Sequence, residues 1–292
     1  MVHEIADMHL ERMLESGSEV DFVAQYSQQV PIGVICEIMG VPRDMREQMH
    51  EWALKFTTVP LKDGSENAEQ IMQEKGQAMY GMIKYFSEKI DEKIENPGDD
   101  IISEVVKDDP DGYEPEKADL VGGMVLLLTA GNITTVKLIS NALWEFTRQD
   151  LIDDLANQQI DLEPAIEEVL RYRGSVHTVP RSTVTSTELY DQEIPEESRL
   201  EVWIAAANRD PRKFDNPDTF IPERDPNDHI GFGTGRHYCL GAVLARLEAR
   251  VALRKFFQAV DDVELAIPER KLEPHPSAVE YGVKELPIRI SS

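Results

Sequence analysis

The chain has 292 residues, 41% of them hydrophobic and 29% charged, an ordinary globular composition with room for one large domain or two smaller ones. Its 55 acidic residues outnumber 30 basic ones, and the net charge of −25 argues against nucleic acid and anionic membrane surfaces as partners. The acids are spread along the chain rather than gathered in a tail, which leaves two readings: a plainly solvated acidic surface, or adaptation to high salt, where screening removes self-repulsion.

The N-terminal stretch Met1–Asp7 has no basic segment leading into an apolar one, so neither a signal peptide nor an anchor is expected. Apolar residues at helical spacing predict helices over 3–15 and 21–39, the second ended by Gly40 and Pro42. Cys36 falls inside that second helix and reads as a core residue. Helices over 43–56 and 66–94 follow, the latter closed by Asn96-Pro97-Gly98, then a short one over 99–106. Residues 117–149 form the most apolar segment and predict a long buried helix. Its longest apolar run, Met124 to Leu128 with its flanks, is too short to span a bilayer. Another helix is expected over 162–172. From 178 to 204 β-branched residues and a turn near Asp191 and Pro195 predict short strands. Residues 208–228, rich in Pro and Asp, read as ordered coil, 240–259 as a helix with Leu240, Leu244, Leu247 and Val251 on one face, and 265–290 as short strands. The fold class is mostly α with a small β part (α+β overall), read as one domain over 1–292 without repeat or linker. With Cys36 and Cys239 as the only cysteines, a disulfide framework is not expected and a reducing cytoplasm fits.

Chemistry concentrates in Phe232-Gly233-Thr234-Gly235-Arg236-His237-Tyr238-Cys239-Leu240-Gly241. A cysteine ends a glycine-rich turn at the mouth of a helix, where the positive end of the helix dipole favours a thiolate. Gly233, Gly235 and Gly241 remove side chains where backbone must approach a flat group or take unusual dihedrals. Three other readings compete. Gly231, Gly233 and Gly235 suggest a phosphate loop, but position 236 is Arg and no Gly-Lys-Ser/Thr follows. His229, His237 and Cys239 could be zinc ligands by type, without the paired spacing zinc sites use. A lone cysteine can also be purely structural.

The same stretch resembles the haem-binding signature of the cytochromes P-450 at Phe232, Gly235, His237, Cys239 and Gly241. The resemblance implies haem b (iron protoporphyrin IX) with Cys239 as its iron ligand, Phe232 shielding the sulfur, and His237 and Arg181 on the propionates. It places the haem-binding core at 116–259. Glu168-Val169-Leu170-Arg171 resembles the family's Glu-x-x-Arg pair, with Arg224 as third member, and Asn208-Arg209-Asp210-Pro211 resembles a family turn. Ala130-Gly131-Asn132-Ile133-Thr134-Thr135 resembles the oxygen-binding segment, Gly131 loosening the helix and Thr134 relaying protons; a hydroxyl bonded back to the preceding turn is the plain alternative for Thr134. Ile133 stands where the family has an acid. The implied activity is monooxygenation of a small apolar substrate with O2 and electrons from a ferredoxin-type donor, without nucleic acid or membrane. Peroxide use, or an impaired haem-binding remnant, is the alternative. The resemblance begins near residue 1 at the family's fourth major helix, which implies a cytochrome P-450 fold lacking its N-terminal strands and first helices. His177 is a candidate pocket residue.

Overall fold

A computed structural model describes residues 1–58, 68–107, 115–275, 277 and 279–291. The first helix, α1 (Val2–Glu15), buries Ile5, Ala6, Leu10 and Met13, one helical face. The single helix expected over 21–39 is divided. Glu19–Asp21 forms strand β1, Val23–Ser27 a wide helical turn, and only Gln29–Ile38 is helix α2. The cause is tertiary. The Asp21 carboxylate accepts from the backbone N–H of Val23 and, across the chain, of Leu286 (3.1 and 2.8 Å), so Asp21 caps a turn while its strand pairs with the C-terminal tail. Helices α3 (Arg46–Thr57), α4 (Ala68–Glu95) and α5 (Ile101–Val105) follow. Residues 66 and 67 of the predicted 66–94 helix lie outside the described residues. Asp100 caps α5 by accepting from Ser103 N–H at 2.9 Å.

Helix α6 (Lys117–Arg148) is the spine. Its first half, Val121 to Ile133, packs into a cluster with α2, α3, α4 and α5; its second half, from Val136, packs with α1, α8 and α10. By length and composition α6 is long enough to cross a membrane, contrary to the sequence expectation, although half of its most apolar stretch is buried inside the protein. The glycines, threonines and Asn132 that interrupt its apolar runs carry no charge, so the helix as a whole passes a test that its short runs do not.

Beyond α6 come α7 (Ile152–Ala156), which was not foreseen, and α8 (Leu162–Tyr172), capped by Asp161. Strand β2 (Thr178–Ser182), the hairpin β3 (Thr187–Leu189) and β4 (Gln192–Ile194), and β5 (Arg199–Trp203) make up the first β part. β2 and β5 pair antiparallel, with Arg181 opposite Leu200. Tyr190 and Asp191 turn the hairpin at φ of 50° and 60°. A single turn, α9 (Ile204–Ala207), leads into ordered coil and then α10 (Ala242–Ala259). β6 (Asp262–Leu265) and β7 (Pro287–Ser291) join β1 in an antiparallel sheet ordered β1-β7-β6, tying the chain's start to its end. The predicted mostly helical fold with small sheets is the one observed.

Candidate functional site

The loop before Cys239 is held from below. Gly233 and Gly235 have φ of 72° and 69°, left-handed backbone that other residues adopt at a cost. Gly233 N–H donates to Ile230 C=O, and Cys239 N–H donates to Phe232 C=O at 2.9 Å, closing the turn. Glu167 on α8 then acts as a clamp: it accepts from Arg246 of α10 through both carboxylate oxygens (2.7 and 2.8 Å) and lies 2.9 Å from His229 Nε2. Burial opposes ionisation of Glu167, but the Arg246 and His229 bonds outweigh it and hold its carboxyl at about 2. The Arg246 guanidinium also covers the Phe232 ring, 4.4 Å from its centre. Gly231 N–H donates to His229 Nδ1, so both nitrogens of His229 are engaged and the zinc reading through His229, His237 and Cys239 fails. Among the described residues no three His, Cys, Asp or Glu side chains gather as a metal site.

Under this loop lies a second anchor. Arg171 donates to both oxygens of Glu168 at 2.7 Å, and both side chains are fully buried. Arg224 donates to the same carboxylate at 3.1 Å, and Ile221 N–H and the Asn227 amide complete its shell. The remaining guanidinium N–H groups take the carbonyls of Asn208, Pro217 and Thr219 from Arg171 and of Asp215 and Asn216 from Arg224. Coil without regular secondary structure is thus locked by charge-assisted hydrogen bonds.

A cavity of about 260 Å³ brings together Ala130, Gly131 and Thr134 of α6, Arg181 of β2, and Phe232, Gly233, His237, Cys239 and Gly241. Gly235 does not line it. Arg181 is exposed and its guanidinium donates to Pro180 C=O at 2.7 Å. Helix α10 begins at Ala242, two residues later than predicted, because Leu240 stands outside it, 88% exposed rather than on the apolar face. Cys239 therefore precedes the first turn of α10 and is exposed, whereas Cys36 is buried and its thiol pushed up to about 12 by burial. Phe232 is only half-buried.

On the α6 wall the helix runs unbroken through Gly131, so no local loosening is present; a methyl at Gly131 would stand 3.3 Å from Ile35 Cδ1. Thr134 Oγ1 donates to Ala130 C=O at 2.9 Å, the bond of an ordinary helix-interior hydroxyl. Ile133 faces the other way, buried in the cluster with α2, α3 and α4. His177 lines a different cavity, stacked on Tyr281 with ring centres 4.7 Å apart. One wall residue had not been singled out. Glu248 of α10 is 1% exposed, its Oε2 has no hydrogen-bond partner, and burial pushes its carboxyl up to about 8. Its place four residues after Leu244 and three before Val251, an acid on the apolar face, was the available signal.

The donor set fits a haem. A thiol opens into a cavity whose walls are mainly apolar, with Arg181 and His237 as partners for carboxylate substituents and glycines where backbone lines the wall. Comparison with known proteins agrees. The cytochrome P450 family model matches residues 139–275. The putative cytochrome P450 YjiB of Bacillus subtilis is 35% identical over 291 residues, which cover 99% of this chain and 72% of the relative. The chain belongs to the cytochrome P450 family. The cytochrome P450 monooxygenase PikC of Streptomyces venezuelae is likewise 35% identical, with 99% of this chain and 68% of that one covered. Substrate-free CYP109E1 from Bacillus megaterium superposes with a TM-score of 0.90 at 34% identity, covering 99% of this chain and 74% of that one. Family membership makes the protein a haem-dependent oxidoreductase of P450 type, working with O2, a small substrate and a redox partner.

Proposed function

We propose that this P450 is a monooxygenase of small apolar substrates that binds haem b through Cys239. The observation that carries the reading is the shared cavity: the cysteine, the Arg181 and His237 donors and the Ala130–Thr134 segment come from distant parts of the chain and meet on one space. Haem b, when bound, supplies the oxygen activation, with one atom of O2 going to substrate and the other to water. Cys239 provides an electron-rich thiolate, and the start of α10 stabilises that charge. Gly233 and Gly235 let the loop take its left-handed turn, and Gly241 lines the cavity beside the sulfur without a side chain. Phe232, pinned by Arg246, limits water near the sulfur. Arg181 and His237 orient the haem through its carboxylates. Ala130 and Gly131 keep that wall of the cavity free of large side chains, and Thr134 Oγ1, whose one proton is donated to Ala130 C=O, would accept a hydrogen bond from the cavity or turn its proton toward it to relay one. An apolar substrate suits the apolar walls. A ferredoxin-type donor suits the Cys239 side, where Arg236 and His237 stand exposed on an otherwise acidic chain, and a cytoplasmic setting suits two unpaired cysteines.

The test is the spectrum of the reduced, CO-bound protein, which shows the red-shifted Soret band of thiolate ligation and loses it in Cys239→Ala. A histidine-type band overturns the assignment of Cys239, and failure to retain haem favours the impaired remnant. One observation favours a second reading, peroxide as oxidant: Ile133 carries no proton and points into the core, away from the cavity. Turnover with peroxide exceeding turnover with a ferredoxin–reductase pair would select it.

A further inference from the structure

A second cavity, about 440 Å³, lies between α1, α2 and the start of α3 and shares no lining residue with the Cys239 cavity. Three arginines line it, Arg12 from α1 and Arg43 and Arg46 at the entry to α3, against one carboxylate, Glu47. In a chain of net charge −25 that local balance is anomalous. Among the described residues Arg12 and Arg43 form no ion pair; Arg46 pairs with Glu37 behind it, and its Nε is buried without a partner. Arg43, Arg46, Glu47 and His50 follow one helical face, which turns the first residues of α3 toward the cavity. A 3-10 turn over Arg43–Met45 runs directly into α3, and its carbonyls already take the first backbone donors, Met45 N–H to Pro42 C=O and Arg46 N–H to Arg43 C=O, so an acceptor in the cavity would meet side chains. The local potential is already visible on His9, a lining residue held at about 4 by burial and by the Arg12 and Arg46 charges. Gly33 makes room for Ile5 of α1 in the wall: a methyl at that position would stand 2.8 Å from Ile5 Cγ2, and 3.7 Å from Arg46 Nη1, an ordinary contact.

We propose that this cavity is a binding site for a small multivalent oxyanion, a phosphate monoester or a di- or tricarboxylate, gripped by Arg12, Arg43 and Arg46. Gln28 and Gln29 of the wall offer neutral amides to the remaining oxygens. Two carboxylates work against the anion, Glu47 in the wall and Glu37, which is paired with Arg46.

Titration of the haem-loaded protein with inorganic phosphate and, separately, citrate, followed by calorimetry and by the ring resonances of His9 and His50, tests the site. Saturable binding of one equivalent is expected, with both rings shifting; the tighter of the two probes identifies the ligand class. Arg12→Gln with Arg43→Gln, both exposed and outside any ion pair among the described residues, weakens binding by about tenfold or more, the loss of charge-assisted hydrogen bonds. Glu47→Gln tightens it, which non-specific screening does not produce. Binding of neither probe, affinity indifferent to these substitutions, or ring shifts reproduced by chloride at equal ionic strength overturns the proposal.

Discussion

Glu248 offers the sharpest test of the packing around the site. Its carboxyl is 1% exposed on α10, and desolvation raises it from 4.5 to about 8. Between those values the folded protein holds a proton that the unfolded chain releases, so the stability present below the ordinary carboxylate range is lost as pH rises toward 8. Glu248→Gln keeps the shape and removes the titration. Each pH unit within the window is worth ~1.4 kcal/mol, so the variant gains about 3 kcal/mol relative to the parent on going from about pH 5 to about pH 8. Urea unfolding of both proteins at a series of pH values measures this directly, and other titrating groups cancel in the comparison. A difference that stays flat across the range, or that favours the parent more as pH rises, refutes the reasoning.

Glu168→Gln leaves Arg171 and Arg224 buried without their counter-charge and lowers stability by about 3–5 kcal/mol, read from the urea midpoint; a loss under about 1 kcal/mol would mean the anchor is not strongly coupled. Gly81→Ala puts a methyl 2.7 Å from the Trp52 ring, costs about 1–3 kcal/mol, and changes Trp52 fluorescence; unchanged emission and stability would contradict the packing. Raising KCl from about 0.1 M to about 1 M shortens the Debye length from about 10 to about 3 Å and raises the melting temperature, since a net charge of −25 repels itself; a fall would exclude the salt-adaptation reading.

Local chemistry made much of this protein legible. The bounds of α8 matched, and α1 and α6 came within a residue of expectation, because amphipathic periodicity and end signals are written in neighbouring residues. The glycine-rich turn around Cys239 could be read because its demands, left-handed backbone and an uncluttered sulfur, are met by residue types in a short span. The splitting of the helix expected over 21–39 could not, since it depends on Asp21 meeting Leu286, 265 residues away. Nor could the direction of Ile133, which rests on packing among four other helices, or the clamp of Glu167, His229 and Arg246.

Residues close in the chain set most of the element types, the acidic surface and the character of the cysteine turn, while β1 and α7 escaped them. Tertiary structure alone decided which side chains share a space. It brought Arg181 and Thr134 to Cys239, turned His177 and Ile133 away, and buried an unpartnered acid beside them. A cavity wall gathers side chains distant in sequence, and only the packing of whole elements sets their separation and their solvation.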